Sequence, residues 1–118
     1  MLDKKATKQL AQVRPAGTAA VSALLKPEKA KYVITSIVIC NTTGSGGASS
    51  NYSIYLDGNG TTYDESTALY FAVALAKQTT DVREFADGLP MDAGDSANLA
   101  VQTSTGSALT FTINGYEF

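Results

Sequence analysis

At residues 108–118, ALTFTINGYEF sets Leu109, Phe111 and Ile113 on one side of an extended chain and Thr110, Thr112 and Asn114 on the other. A period of two with one apolar side is the pattern of a strand that buries a single face. ANLAVQT (97–103) repeats it, with Leu99 and Val101 inward and Asn98 and Gln102 outward. SNYSIYLD (50–57) sets Tyr52, Ile54 and Leu56 against Ser53 and Tyr55. In ALYFAVALA (68–76), Leu69, Phe71, Val73 and Leu75 share a face, and Ala72, Ala74 and Ala76 fill the opposite one, smooth enough to lie against another protein. TAAVSALL (18–25) reads as a further strand, closed by the turn KPEK with Pro27. The segments STGS (104–107), AKQTT (76–80) and ADGLPMDAGDS (86–96) tolerate tight turns. Runs and turns alternating about every ten residues predict an all-β fold, a compact antiparallel β-sandwich of about seven or eight strands.

One run fits this scheme poorly. In YVITSIVIC, strict alternation puts Tyr32, Ile34, Ser36, Val38 and Cys40 on one face and Val33, Thr35, Ile37 and Ile39 on the other, so neither is polar. A sandwich strand meets the core on one side only. The second face is therefore expected to lie under the N-terminal segment or, preferably, in a subunit contact. Ile37, Ile39, Ala72 and Ala74 are the predicted oligomer contacts.

The net charge of −2 hides a division. Residues 1–31 hold seven bases (Lys4, Lys5, Lys8, Arg14, Lys26, Lys29, Lys31) against Asp3 and Glu28, a net +5, whereas the remainder holds Lys77 and Arg83 against nine acids, a net −7. This asymmetry suggests a basic arm, residues 1–16, on an acidic sandwich, residues 17–118. Lys4, Lys5, Lys8 and Arg14 are its candidate contacts, with an acidic protein surface or a neighbouring copy as partner. Nucleic acid is not expected, because the body is acidic and the arm has no aromatic residue to stack on bases. The arm's Leu2, Ala6 and Leu10 have helical spacing, but Pro15 and Gly17 end the segment early. Ordering on contact and a first edge strand at LAQVR remain the two readings.

At 118 residues the chain reads as one domain able to bury roughly two thirds of its unfolded surface. A single cysteine, Cys40, excludes an internal disulfide. No run is apolar enough for a membrane span, and the N-terminus lacks the apolar centre of a secretory signal, which predicts cytoplasmic synthesis and no membrane partner.

Catalytic chemistry is poorly supplied. There is no histidine, which removes Ser-His-Asp and Cys-His arrangements and the commonest transition-metal ligand. Asp64 with Glu65, and Asp92 with Asp95, are carboxylate pairs in loops without a neighbour to separate their proton affinities. DGNGTTYD offers Asp57, Asn59, Thr61 and Asp64 as oxygens for calcium, but Thr62 stands where an EF-hand loop needs glycine and Ala68 where it needs a bidentate acid. GSGG (44–47) lacks the Lys-Ser/Thr of a phosphate loop. Tyr52, Tyr55, Tyr63 and Tyr70 are candidates for a shallow groove, set against packing at sandwich rims. No enzyme activity, cofactor or metal is expected.

The strand KYVITSIVICN with its preceding KPEKA, and the tail DGLPMDAGDSANLAVQTSTGSALTFTINGYEF, resemble small tailed-bacteriophage virion structural proteins. The resemblance covers about two fifths of the chain and implies a jelly-roll-like sandwich. It further implies a capsid decoration or cement protein on the capsid surface of the virion. Such a protein is a symmetric homo-oligomer, a trimer, bound to the major capsid protein or another virion protein. A neck, tail, baseplate or fibre module is the alternative, followed by a carbohydrate-binding sandwich.

Overall fold

The computed structural model describes residues 7–25, 32–43, 49–57, 62–91 and 97–117. Among them are eight strands and no helix: β1 (Lys8–Val13), β2 (Val21–Leu25), β3 (Tyr32–Asn41), β4 (Ser50–Asp57), β5 (Ala68–Leu75), β6 (Thr80–Met91), β7 (Asn98–Thr103) and β8 (Leu109–Glu117). They form two four-stranded sheets, ordered β1-β8-β3-β6 and β2-β7-β4-β5. Every pairing is antiparallel. The chain changes sheet at each connection except β4 to β5, which gives the strand order of a jelly roll and fulfils the expected sandwich.

Of the two readings of the N-terminal segment, a strand forms: Lys8–Val13 pairs with β8 and belongs to the sandwich. Lys8 Nζ reaches Glu117 Oε1 at 2.7 Å, and Arg14 donates through Nε and Nη2 to the Ser107 carbonyl at 2.9 and 2.6 Å. Both bases therefore hold β1 against β8 and its preceding loop. Lys4 and Lys5 lie outside the described residues.

The core lies between the sheets. Ile34, Ile37 and Ile39 from β3 and Leu109, Phe111 and Ile113 from β8 meet Tyr52, Ile54, Leu99 and Val101 from the opposite sheet, all fully buried. At about 25 cal/mol per Å², each isoleucine contributes on the order of 2–3 kcal/mol by leaving water. Placing Ile37 and Ile39 in an oligomer contact was an error of phase. Two steps on β3, Ile34 to Ser36, match one step on β8, Gly115 to Asn114. This bulge shifts the alternation by one residue, so Ile34 and then Ile37 and Ile39 all enter the core. Thr35, Ser36, Val38 and Cys40 are left half-buried on the outer side. That face is mostly polar, since Gln12 Nε2 donates to Thr112 Oγ1 at 2.9 Å and Asn114 Nδ2 to Ser36 Oγ at 3.3 Å.

Gly115 sits where the bulge presses inward. A Cβ there would lie 2.0 Å from the Val33 carbonyl oxygen, which is backbone and has no rotamer to change. At the sheet's end the buried Asn41 donates through Nδ2 to the Leu75 carbonyl at 3.0 Å and accepts from Thr43 through Oδ1. One side chain thereby ties β3 to the end of β5 in the other sheet.

Candidate interaction surface

Among the described strands β5 is an edge, bonded only to β4, and its pairing is irregular at two places. One step on β4, Tyr55 to Ile54, spans Ala68 to Tyr70; two steps, Ile54 to Tyr52, span Tyr70 to Val73. Each irregularity inserts one residue. The second is absorbed at Ala72, whose φ of 52° lies in the left-handed region that costs an L-residue on the order of 1 kcal/mol. Its N–H donates to Ser53 Oγ at 2.9 Å.

The consequence is a redistribution of side chains. Tyr70, Val73 and Leu75 pack inward, whereas Leu69 and Phe71 point out, 37% and 52% exposed. The predicted shared face of Leu69, Phe71, Val73 and Leu75 is therefore split. Ala72 and Ala74 are exposed, as their assignment to a contact requires. Phe71 on this face was missed, and nothing in the letters FAVA marks Ala72 for a left-handed turn.

The four tyrosines divide into two pairs with different work. Tyr52 and Tyr70 close the side of the sandwich against β6. The Tyr52 hydroxyl donates to Asp81 Oδ2 at 2.9 Å and accepts from Arg83 Nε at 2.8 Å, and the Arg83 guanidinium stacks 4.7 Å above the Tyr70 ring. Burial, then Asp81, pushes the Tyr52 hydroxyl above its ordinary pKa despite Arg83, so it stays protonated as a structural tie.

Tyr55 and Tyr63 lie on the outer face of the β2-β7-β4-β5 sheet. Tyr55 is 2% exposed because the Tyr63 ring covers it at 6.2 Å and Phe71 flanks it edge-on at 6.5 Å. Its hydroxyl donates to Gln102 Oε1, and Gln102 Nε2 donates to the Thr18 carbonyl at 3.0 Å. The loop 62–67 holds Tyr63 in position. Asp64 Oδ1 accepts from the Ser66 N–H at 2.8 Å, Thr67 Oγ1 donates to the Thr62 carbonyl at 2.8 Å, and Asp57 Oδ2 accepts from the Thr62 N–H at 2.8 Å. The Ser66 hydroxyl and amide hold the Asp64 carboxyl below its usual pKa. Burial, then Asp57, raises that of Tyr63.

Between this loop and Phe71 runs an open groove of about 570 Å³, lined by Tyr55, Tyr63, Phe71, Asp64, Glu65 and Gln102 among others. A smaller groove of about 320 Å³ lies on the other side of Phe71, along Ser53 and Ser104. Phe71 is the ridge between them.

Of the calcium pattern, Asp57 and Asp64 each give an oxygen to loop amides, while Asn59 and Thr61 lie outside the described residues. So do Asp92 and Asp95. Among the described residues no three metal-ligating side chains gather.

No family model and no curated protein matches the chain. Two solved structures, of the Gt and Gx strains of infectious bursal disease virus, align with 95% and 92% of it at 17% and 15% identity, with TM-scores of 0.45 and 0.41. The chain spans 30% and 31% of those chains' own length. With TM-scores below 0.5, neither likeness bears on function.

Proposed function

We propose that this chain is a structural protein of a tailed-bacteriophage virion. It decorates and stabilises the capsid as a symmetric oligomer, a trimer, bound to the major capsid protein, and it performs no catalysis. The observation that carries the reading is the exposed apolar side of the edge strand β5. Ala68–Leu75 contains no charge and no proline, and it presents Leu69, Phe71, Ala72 and Ala74 to solvent. Proteins that work alone blunt edges with charges, proline or bulges; β5 has the two bulges but no charge, and its outward side stays apolar. The other long edge, β6, is blunted in this way by Asp81, Arg83, Glu84, Asp87 and Pro90. The jelly-roll order is one that viral coats use, and the sequence resemblance points the same way.

The test is the mass of the purified chain in solution, followed by cosedimentation with empty shells of the parent virus. Stoichiometric binding of an oligomer to shells supports the reading. A monomer without affinity for shells overturns it, and binding to tails in place of shells moves the protein to the tail or baseplate.

A further inference from the structure

We infer that the groove between Tyr63 and Phe71 receives the basic N-terminal segment of a second copy, with Lys4 or Lys5 as the inserted side chain. This rests on the oligomeric reading above and names what the surface would hold.

The chemistry of the lining selects the charge of the occupant. Three aromatic rings stand beside the carboxylates of Asp64 and Glu65, and among the described residues no lysine or arginine lines the groove. Ring faces are electron-rich and attract an ammonium group, and two carboxylates reinforce that attraction while repelling phosphate or any other anion. Exposed, Asp64 is a carboxylate at neutral pH, and the Ser66 bonds, both on Oδ1, favour that form further.

The chain holds a matching cation source. Its bases are concentrated in residues 1–31. Two of the four candidate arm residues, Lys8 and Arg14, are engaged with Glu117 and the Ser107 carbonyl. Lys4 and Lys5 are the other two, and they precede β1 by a few residues.

Distance favours a neighbour's segment over the chain's own. β1 is the edge of one sheet beside β2, whereas the groove lies on the outer face of the other sheet, over β7, β4 and β5. A path from Lys8 must round the β2 edge, across an inter-sheet gap of about 10 Å, and then pass strands about 4.8 Å apart. From Lys8 back to Lys4 an extended backbone covers at most about 14 Å against a path of roughly 20 Å, so the chain's own lysine would have to be stretched along its whole length to arrive. A second copy related by a symmetry axis faces no such limit.

The experiment is sedimentation equilibrium of the full chain at low and high salt. Lys4→Glu/Lys5→Glu, Glu65→Lys and Phe71→Ala are each expected to weaken association about tenfold. Adding Glu65→Lys to Lys4→Glu/Lys5→Glu restores part of it. The changed residues are exposed or precede β1, so circular dichroism should be unaltered. An oligomer of undiminished strength in all variants overturns the docking while leaving the oligomeric reading intact. A wild-type chain that is monomeric at every concentration ends both. Weakening by the lysine changes alone sends the arm elsewhere and overturns the groove assignment. Saturable binding of a neutral oligosaccharide that needs Phe71 and Glu65, with mass unmoved, assigns the groove to a glycan and overturns it as well.

Discussion

β3 carries one residue more than β8 can pair, and β5 two more than β4, and the irregularities send apolar side chains in opposite directions. In β3, flanked by β8 and β6, one extra residue brings Ile34, Ile37 and Ile39 to the same side, all inside. In β5, bonded on one side only, two extra residues turn Leu69 and Phe71 out to solvent. A bulge is neutral about burial; the position of its strand in the sheet decides which result the fold keeps. A central strand has its backbone satisfied on both sides, so its phase is set by what the core demands. An edge strand leaves backbone and side chains available to whatever arrives next.

The sharpest way to break this comparison is to place the same charge at both sites. Ile39→Asp buries a carboxylate without a partner and should cost more than about 4 kcal/mol, seen as loss of the cooperative thermal transition. Phe71→Asp should leave the transition within about 0.5 kcal/mol of the parent while reducing association. If both unfold the chain, the β5 surface is core by another route; if neither does, β3 is misassigned. Next in size is Gly115→Ala, which drives a methyl group into the Val33 carbonyl and should lose roughly 1–3 kcal/mol in denaturant unfolding. An unchanged midpoint would mean that the β3 bulge is not held against β8. The smallest effect sharpens the other half. Ala72→Gly replaces a left-handed alanine, and relief of strain should offset the entropy of glycine to within about 1 kcal/mol, with no loss of strand content. A loss as large as that of glycine in a regular strand would show that Ala72 is ordinary extended backbone in solution.

These elements also mark how far residue patterns carry. Leu109, Phe111 and Ile113 enter the core as their alternation predicts, and so do Leu99 and Val101, because β8 and β7 are continuous through those positions. The alternation in β3 and β5 misleads by one residue at each insertion, since period two has no memory of a bulge. The oligomer assignment of Ile37 and Ile39 failed for that reason, and Phe71 was grouped on one face with Val73 and Leu75. Ala72 and Ala74 are exposed. Tyr55 and Tyr63 were legible as groove candidates, and the alternation already set Tyr55 opposite Tyr52, but the partners of each pair were not legible. Adjacent strand positions point to opposite sides of a sheet, and only the fold shows what lies on each side.

Alternating runs and turn residues were enough to determine a β-sandwich, because strand period is a local property. The jelly-roll order, the insertions in β3 and β5, and the aromatic groove beneath loop 62–67 were decided by tertiary structure alone. Each depends on which distant strand supplies the neighbouring hydrogen bonds, and that choice is made by the packing of the whole core.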